Sequence, residues 1–219
     1  MNVYHHPSEA LLLDYSSGAL DEGWSIAIAT HLALCPTCRQ TVRDMEAIGA
    51  AFMEHIKPTP LSDDILSIVS TGLSIEPDQH EITVKSKLTR PSPILPEPLR
   101  RYVGGDIDQV TWQRLGLGAY QCLIPTSNDQ TTVRLLRIPA GKPVPTHSHG
   151  GLELTLVLSG AFSDMTGLYG RGDLQEADET LEHQPYASED EDCVCLAVTD
   201  LPLRFSSLAA RMVQPFIGI

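Results

Sequence analysis

Residues 141–160, GKPVPTHSHGGLELTLVLSG, place His147 and His149 one residue apart and Glu153 four residues after the second histidine. Side chains alternate between faces in extended backbone, so these three odd-numbered residues share one face and can converge. Two imidazoles beside a carboxylate form a donor set for zinc, manganese, iron, nickel or copper rather than calcium, which takes oxygen ligands. A fourth ligand should come from a later strand facing the first. His183, in TLEHQP, is the one histidine downstream and takes that place.

A second constellation lies near the N-terminus, where His31, Cys35 and Cys38 read H-x3-C-x2-C. One helical turn separates His31 from Cys35, which puts them on one face. Cys38 follows across a turn begun by Pro36, so that two thiolates point at one ion. Structural zinc closes tetrahedrally, and three ligands call for a fourth. The candidates are His5, His6, His55 and the distant cysteines. His6 stands just before the first predicted helix, which must return to pack on the second. Redox use of C-x-x-C follows a strand in a βαβ setting, and nothing before Cys35 reads that way. Cys193 and Cys195, in DCVCLAV, alternate onto one face of a buried strand and read as packing residues. Cys122 reads the same way.

The elements that must hold these groups change character along the chain. Residues 1–56 read as helices. Ser8 caps EALLLDYSS with Gly18 as its stop, Asp21 caps EGWSIAIATHLAL, and Pro36 opens PTCRQTVRDMEAIGAAFMEHI. A fourth, LSDDILSIVSTGL, carries Ile65, Leu66, Ile68, Val69 and Leu73 as an apolar stripe. It is too short to be stable without something to pack on. RPSPILPEPLR has four prolines in eleven residues and reads as extended linker. Beyond it TTVRLLRIP, LELTLVLSG, DCVCLAV and LRFSSL read as strands. The pattern predicts an α+β chain of two domains: a small all-α domain over 1–80, a linker over 81–99, and an all-β domain with a C-terminal tail over 100–219. If Glu153 looks into a barrel, Leu152, Leu154, Leu156 and Leu158 face outward and need cover from extra strands, the other domain or a second subunit.

Composition narrows the function. The net charge of −13 and the lack of a Lys/Arg cluster beyond Arg100-Arg101 argue against direct nucleic-acid binding. An acidic chain suits a basic protein partner instead. No run approaches 18 apolar residues and no basic segment precedes an apolar one at the start, so neither a membrane span nor a signal peptide is expected, and the compartment is cytoplasmic. Five cysteines, two of them as C-x-x-C, argue against a disulfide scaffold. Oligomeric state stays open.

The spacing Gly141, His147, His149, Glu153, Gly160 resembles the first motif of the cupin superfamily. Its second motif is reduced to His183, with Ala187 where the family has Asn and no Pro-x-Gly turn. The resemblance implies a double-stranded β-helix barrel. His6 followed by His31, Cys35 and Cys38 is similar to the signature of zinc-binding anti-sigma factors, which implies His6 as the fourth zinc ligand. In this order, with LELTLVLSGAF, DCVCLAVTD, LPLRFSSL and the terminal VQPF, the chain resembles ChrR-type anti-sigma factors along nearly its whole length. That resemblance implies Zn2+ in the helical domain and Zn2+ or another divalent metal (Mn, Fe, Ni) in the cupin. It implies inhibition of an extracytoplasmic-function sigma factor, with a barrel that senses singlet oxygen or organic peroxide and triggers release. No residue is assigned a catalytic role. The rival is a metal-dependent cupin enzyme of the dioxygenase or isomerase type, which an open coordination position would permit. No proton-transfer partner stands out beside the ligands to support it.

Overall fold

The computed structural model describes residues 2–62, 64–73, 93–116 and 118–206. The helices are α1 (Glu9–Ser17), α2 (Glu22–Leu34), α3 (Pro36–Met53), α4 (Ile65–Leu73) and α5 (Glu97–Val103). The first strands are β1 (Gln113–Gly116), β2 (Ala119–Ile124), β3 (Thr132–Ile138), β4 (His147–Ser148), β5 (Glu153–Ser159) and β6 (Ala161–Asp164). They are followed by β7 (Gly167–Gly170), β8 (Leu174–Ala177), β9 (Glu182–His183), β10 (Tyr186–Ala187), β11 (Cys193–Thr199) and β12 (Arg204–Phe205). This is the α+β chain with helices first and a β-barrel after them that the sequence predicts.

The local signals act as read. Ser8 Oγ accepts from Leu11 N at 3.4 Å, and Gly18 ends α1 at φ 73°, a left-handed turn that glycine adopts without a Cβ clash. Asp21 Oδ1 accepts from Trp24 N at 3.2 Å to start α2. Pro36 opens α3.

In the barrel a six-stranded sheet of order β1-β2-β3-β11-β5-β8 joins two three-stranded sheets, β10-β6-β7 and β12-β4-β9. Alternation along β5 splits its side chains. Glu153, Thr155 and Val157 face the interior, where Val157 packs with Ile138, Phe162, Tyr169, Ala187 and Cys193. Leu154, Leu156 and Leu158 face outward into a second core, with Val133, Leu135, Val194, Leu196 and Val198 from neighbouring strands. Their cover is α2. Ile26, Ala27, Ile28 and Leu32 join that same cluster, Ile28 and Ala27 with no exposed surface. This explains why α2 is apolar nearly all round: sheet, α1 and α5 press on it from different sides. Gly23 lets its first turn approach β3, because a Cβ there would lie 2.1 Å from Thr131 Oγ1.

The compact units are drawn along a different line from the predicted domains. Residues 1–47 and 93–219 form one unit, and 48–92 form the other. Of the predicted linker, 81–92 lies outside the described residues, and 93–99 is packed structure. Leu95 and Leu99 are fully buried, and Pro96 and Pro98 stand at the start of α5. Proline density predicts extension, but proline at a helix start is favourable, and Leu95 and Leu99 gain burial against α2. In the second unit, α4 forms and buries none of its residues.

Helices and barrel thus share one core, and Ile28→Ala should cost about 2–5 kcal/mol. In denaturant, helical circular dichroism and tryptophan fluorescence should shift together in one transition. Two separate transitions would mean that α2 and the barrel are independently stable.

Candidate metal centres

Register, rather than sequence proximity, assembles the barrel site. Strands β4 and β9 pair antiparallel with His147 directly opposite His183, and β12 lies on the other side of β4 with Phe205 opposite His147. His149 follows β4, and Glu153 begins β5. Three ring nitrogens meet: His183 Nε2 is 3.1 Å from His147 Nε2 and 3.2 Å from His149 Nε2. Metal bonds of 2.0–2.1 Å at tetrahedral angles put ligand nitrogens roughly 3.3 Å apart, so the spacing fits a single ion. The lone pairs repel unless a proton or cation lies between them. All three histidines are buried.

Each outer nitrogen has a neighbour that turns its Nε2 inward. His147 Nδ1 donates to Pro145 O at 2.8 Å, and His183 Nδ1 donates to Asp164 Oδ2 at 2.6 Å. His149 Nδ1 lies 3.2 Å from Glu153 Oε2, off the line of a ring N–H. Asp164 has no exposed side-chain surface and sits in a polar nest. Thr166 Oγ1 donates to its Oδ1 at 2.5 Å, and Gln175 Nε2 donates to its Oδ2 at 2.8 Å. Burial opposes the Asp164 charge, yet these donors and His183 bring its pKa to about 2. Burial likewise opposes the Glu153 charge, and His149, His147 and Thr155 outweigh it, holding the carboxyl below its ordinary range. Burial pushes His147 towards its neutral form, the form that binds metal. This carboxylate–histidine arrangement orients metal ligands and raises their basicity.

The thiol site forms where α2 ends and α3 begins. His6 Nδ1 lies 3.4 Å from Cys35 Sγ and 3.2 Å from Cys38 Sγ, and His31 completes the cluster. His31 Nδ1 donates to Gly172 O at 2.9 Å, which leaves Nε2 buried without a hydrogen-bond partner. A buried imidazole nitrogen of this kind calls for a ligand, and two sulfurs and a second imidazole face it. Burial drives the His31 pKa to about 4. Burial, with Cys35 adding to it, pushes the Cys38 thiol up to about 12, so this sulfur stays protonated unless a cation takes the proton's place.

Of the predicted residues, His6, His31, Cys35 and Cys38 come together, as do His147, His149 and His183. Glu153 borders the second group from the far side of His149, with its Oε1 engaged by Thr155 Oγ1 at 2.7 Å. His5 turns away to the barrel, with its ring 4.2 Å from that of Tyr169. His55 Nδ1 bonds to Ala51 O within α3 and its following turn. Cys193 and Cys195 are buried inside the barrel, as packing required. The hydrogen bond that the Cys195 S–H makes to Cys193, then burial, hold the Cys195 thiol well above its ordinary range. Asp164, Thr166 and Gln175 were not foreseen: Asp-Met-Thr-Gly reads as a turn, and nothing local says that its Asp reaches back to a histidine. Gly172 and Asp173, in GRGD, were missed for the same reason.

A profile of the ChrR cupin-like domain matches residues 101–201. Over all 219 residues, the full length of both chains, the sequence is 44% identical to the anti-sigma-E factor ChrR of Cereibacter sphaeroides. The fold is similar to a crystal structure of Rhodobacter sphaeroides SigE in complex with the anti-sigma ChrR. That match covers 91% of this chain and 100% of the other, at 42% identity and a TM-score of 0.77.

Two measurements check the donor sets. Zn2+ added to the metal-free full-length chain at pH 7 should displace about two protons at the thiol site, one per cysteine, and bind more tightly as pH rises. An indicator dye in weak buffer reads this, and a Cys35→Ser/Cys38→Ser variant should lose that release. Asp164→Asn should lower barrel affinity for Zn2+ by about 10–100-fold in competition with a chromogenic chelator. Unchanged affinity would deny Asp164 any part in orienting His183.

Proposed function

The chain belongs to the ChrR family of anti-sigma factors, and from that premise we propose that it holds an extracytoplasmic-function sigma factor inactive until chemistry at the barrel releases it. The observation that carries this is 44% identity along the full length, beside two converged donor sets in this chain. The chain is a regulator and not an enzyme. Its thiol site takes Zn2+ through His6, His31, Cys35 and Cys38. The orphaned His31 Nε2 and the adjacent sulfurs support that choice, because thiolate and imidazole together are zinc's preferred donors. The barrel takes a second divalent ion, Zn2+, Mn, Fe or Ni, through His147, His149 and His183. Glu153 completes the set by turning its carboxylate from His149 to the ion. Such an ion supplies a Lewis-acidic or redox-active centre, while the chain's own residues fix the imidazole tautomers and exclude water.

The partner-binding part is residues 1–80, with the domain over 100–219 as sensor. The end of α3 exposes Ile48, Phe52 and Met53, and α4 exposes Leu66, Ile68, Val69 and Leu73, with Leu66 and Leu73 about four-fifths accessible. Apolar side chains displayed this densely on short helices mark a protein-binding surface. The excess of acid suits a partner with basic, DNA-binding surfaces. Singlet oxygen or an organic peroxide is the class of signal we assign to the barrel. The place of action is the cytoplasm, where a sigma factor meets its polymerase. No helix among the described residues is long and apolar enough to cross a membrane.

Affinity capture from the native host tests the reading. Full-length, metal-loaded bait should retain one sigma factor in stoichiometric amount, and a His31→Ala/Cys35→Ala bait should lose it. A His147→Ala/His149→Ala bait should keep the sigma factor but no longer release it under singlet oxygen or peroxide. If folded bait captures no sigma factor, the anti-sigma reading is wrong and the barrel should be assayed as a dioxygenase.

A further inference from the structure

The thiol site is not built from helices alone. Its histidines are oriented by the turn between β7 and β8 of the barrel, residues 171–173. Gly172 O accepts from His31 Nδ1 and so fixes the ring with Nε2 towards the sulfurs. Asp173, itself buried, acts on the other histidine one residue removed. Its Oδ1 accepts from Tyr4 N at 2.6 Å and His5 N at 2.9 Å, while its Oδ2 accepts from Gly170 N at 2.9 Å. His5 O in turn accepts from Leu174 N at 3.1 Å. The residue before His6 is therefore pinned at both its N–H and its carbonyl. His6 itself is exposed and precedes the first helix, where nothing in α1 fixes its backbone. Without the barrel turn, closing His6 over the sulfurs would cost the ordering of a free chain end.

We infer that Asp173 is a positioning residue for the thiol-rich site: the barrel supplies that site's outer shell and thereby sets its affinity for metal. This rests on the reading that the site binds metal, and it adds a route for regulation. The segment that holds His6 and His31 is continuous with the hairpin that holds the barrel's own ligand. Asp164 grips His183, Thr166 bonds Asp164, and Tyr169 OH lies 2.9 Å from Thr166 Oγ1 with its ring against His5. A barrel that loosens its hold on residues 4–6 therefore weakens the ion on which the helical part depends.

Cobalt(II) titration of the metal-free full-length chain tests this, because thiolate-to-cobalt charge transfer reports the thiol site and not the imidazole site. Asp173→Asn should weaken cobalt at the thiol site by about 10–100-fold, with the barrel's cobalt stoichiometry unchanged. Tyr4→Pro deletes one N–H donor on the other side of the contact without touching the barrel, so it should shift affinity in the same direction even if Asp173→Asn folds poorly. The control is Asp192→Asn, a barrel-loop carboxylate that accepts from Ala140 N and pairs with Arg137 away from this turn. It should leave the charge-transfer titration as in the parent. Unchanged affinity in both Asp173→Asn and Tyr4→Pro overturns the inference. An equal loss in Asp192→Asn also overturns it, by showing general loosening of the barrel. Absence of the charge-transfer band in the parent chain would instead remove the metal reading itself.

Discussion

The arrangement depends on one buried contact, α2 against the outer face of β5 and β11. A cupin-like strand that turns its metal-facing residues inward must turn Leu154, Leu156 and Leu158 outward, and these need an apolar cover. Helix α2 supplies it with Ile26, Ala27, Ile28 and Leu32. Apolar burial at about 25 cal/mol per Å2 makes such a face costly to expose. Because α2 also ends in His31 and Cys35, the helix that satisfies the sheet delivers two thiol-site residues to a fixed place beside the barrel. Packing and metal geometry are set by the same residues.

Around that core three of the candidate ligand imidazoles, those of His147, His183 and His31, have one nitrogen occupied by an oxygen so that the other faces its cluster. Pro145 O serves His147, Asp164 serves His183, and Gly172 O serves His31. Two of these partners, Asp164 and Gly172, lie on a single stretch of about ten residues running through β7. A buried carboxylate in such a position is tolerable only because several donors surround it, as Thr166, Gln175 and His183 surround Asp164. The barrel interior is therefore polar where the histidines converge and apolar at Val157, Phe162 and Cys193.

The second unit differs physically from the first. Its helical side chains are apolar and uncovered, the composition of a surface meant for another protein. We propose that one chain thereby combines the two demands on an inhibitor of this family: a unit that holds ions, and an apolar segment that, with the zinc-bearing helices, binds the sigma factor.

Much was legible before any coordinates. Period-four and period-two patterns located α1 to α4 and the long strands, because local backbone preference and burial agree there. Spacing identified His31, Cys35, Cys38, His147 and His149, since His-x-His on a strand and His-x3-Cys on a helix fix which faces are shared; His183 followed as the one histidine downstream, and His6 came from the family resemblance alone. Other features were invisible for a definite reason. Whether His5 or His6 faces the sulfurs depends on Asp173, some 168 residues away in sequence. That Glu153 rests against His149, that Asp164 holds His183, and that α2 covers the leucines are all long-range contacts as well. Sequence by itself determined the element types and the donor chemistry, which depend on neighbours a few residues apart. Only the tertiary structure decided which oxygen orients each imidazole and which helix covers the sheet, because those choices are made by groups that meet only once the barrel has closed.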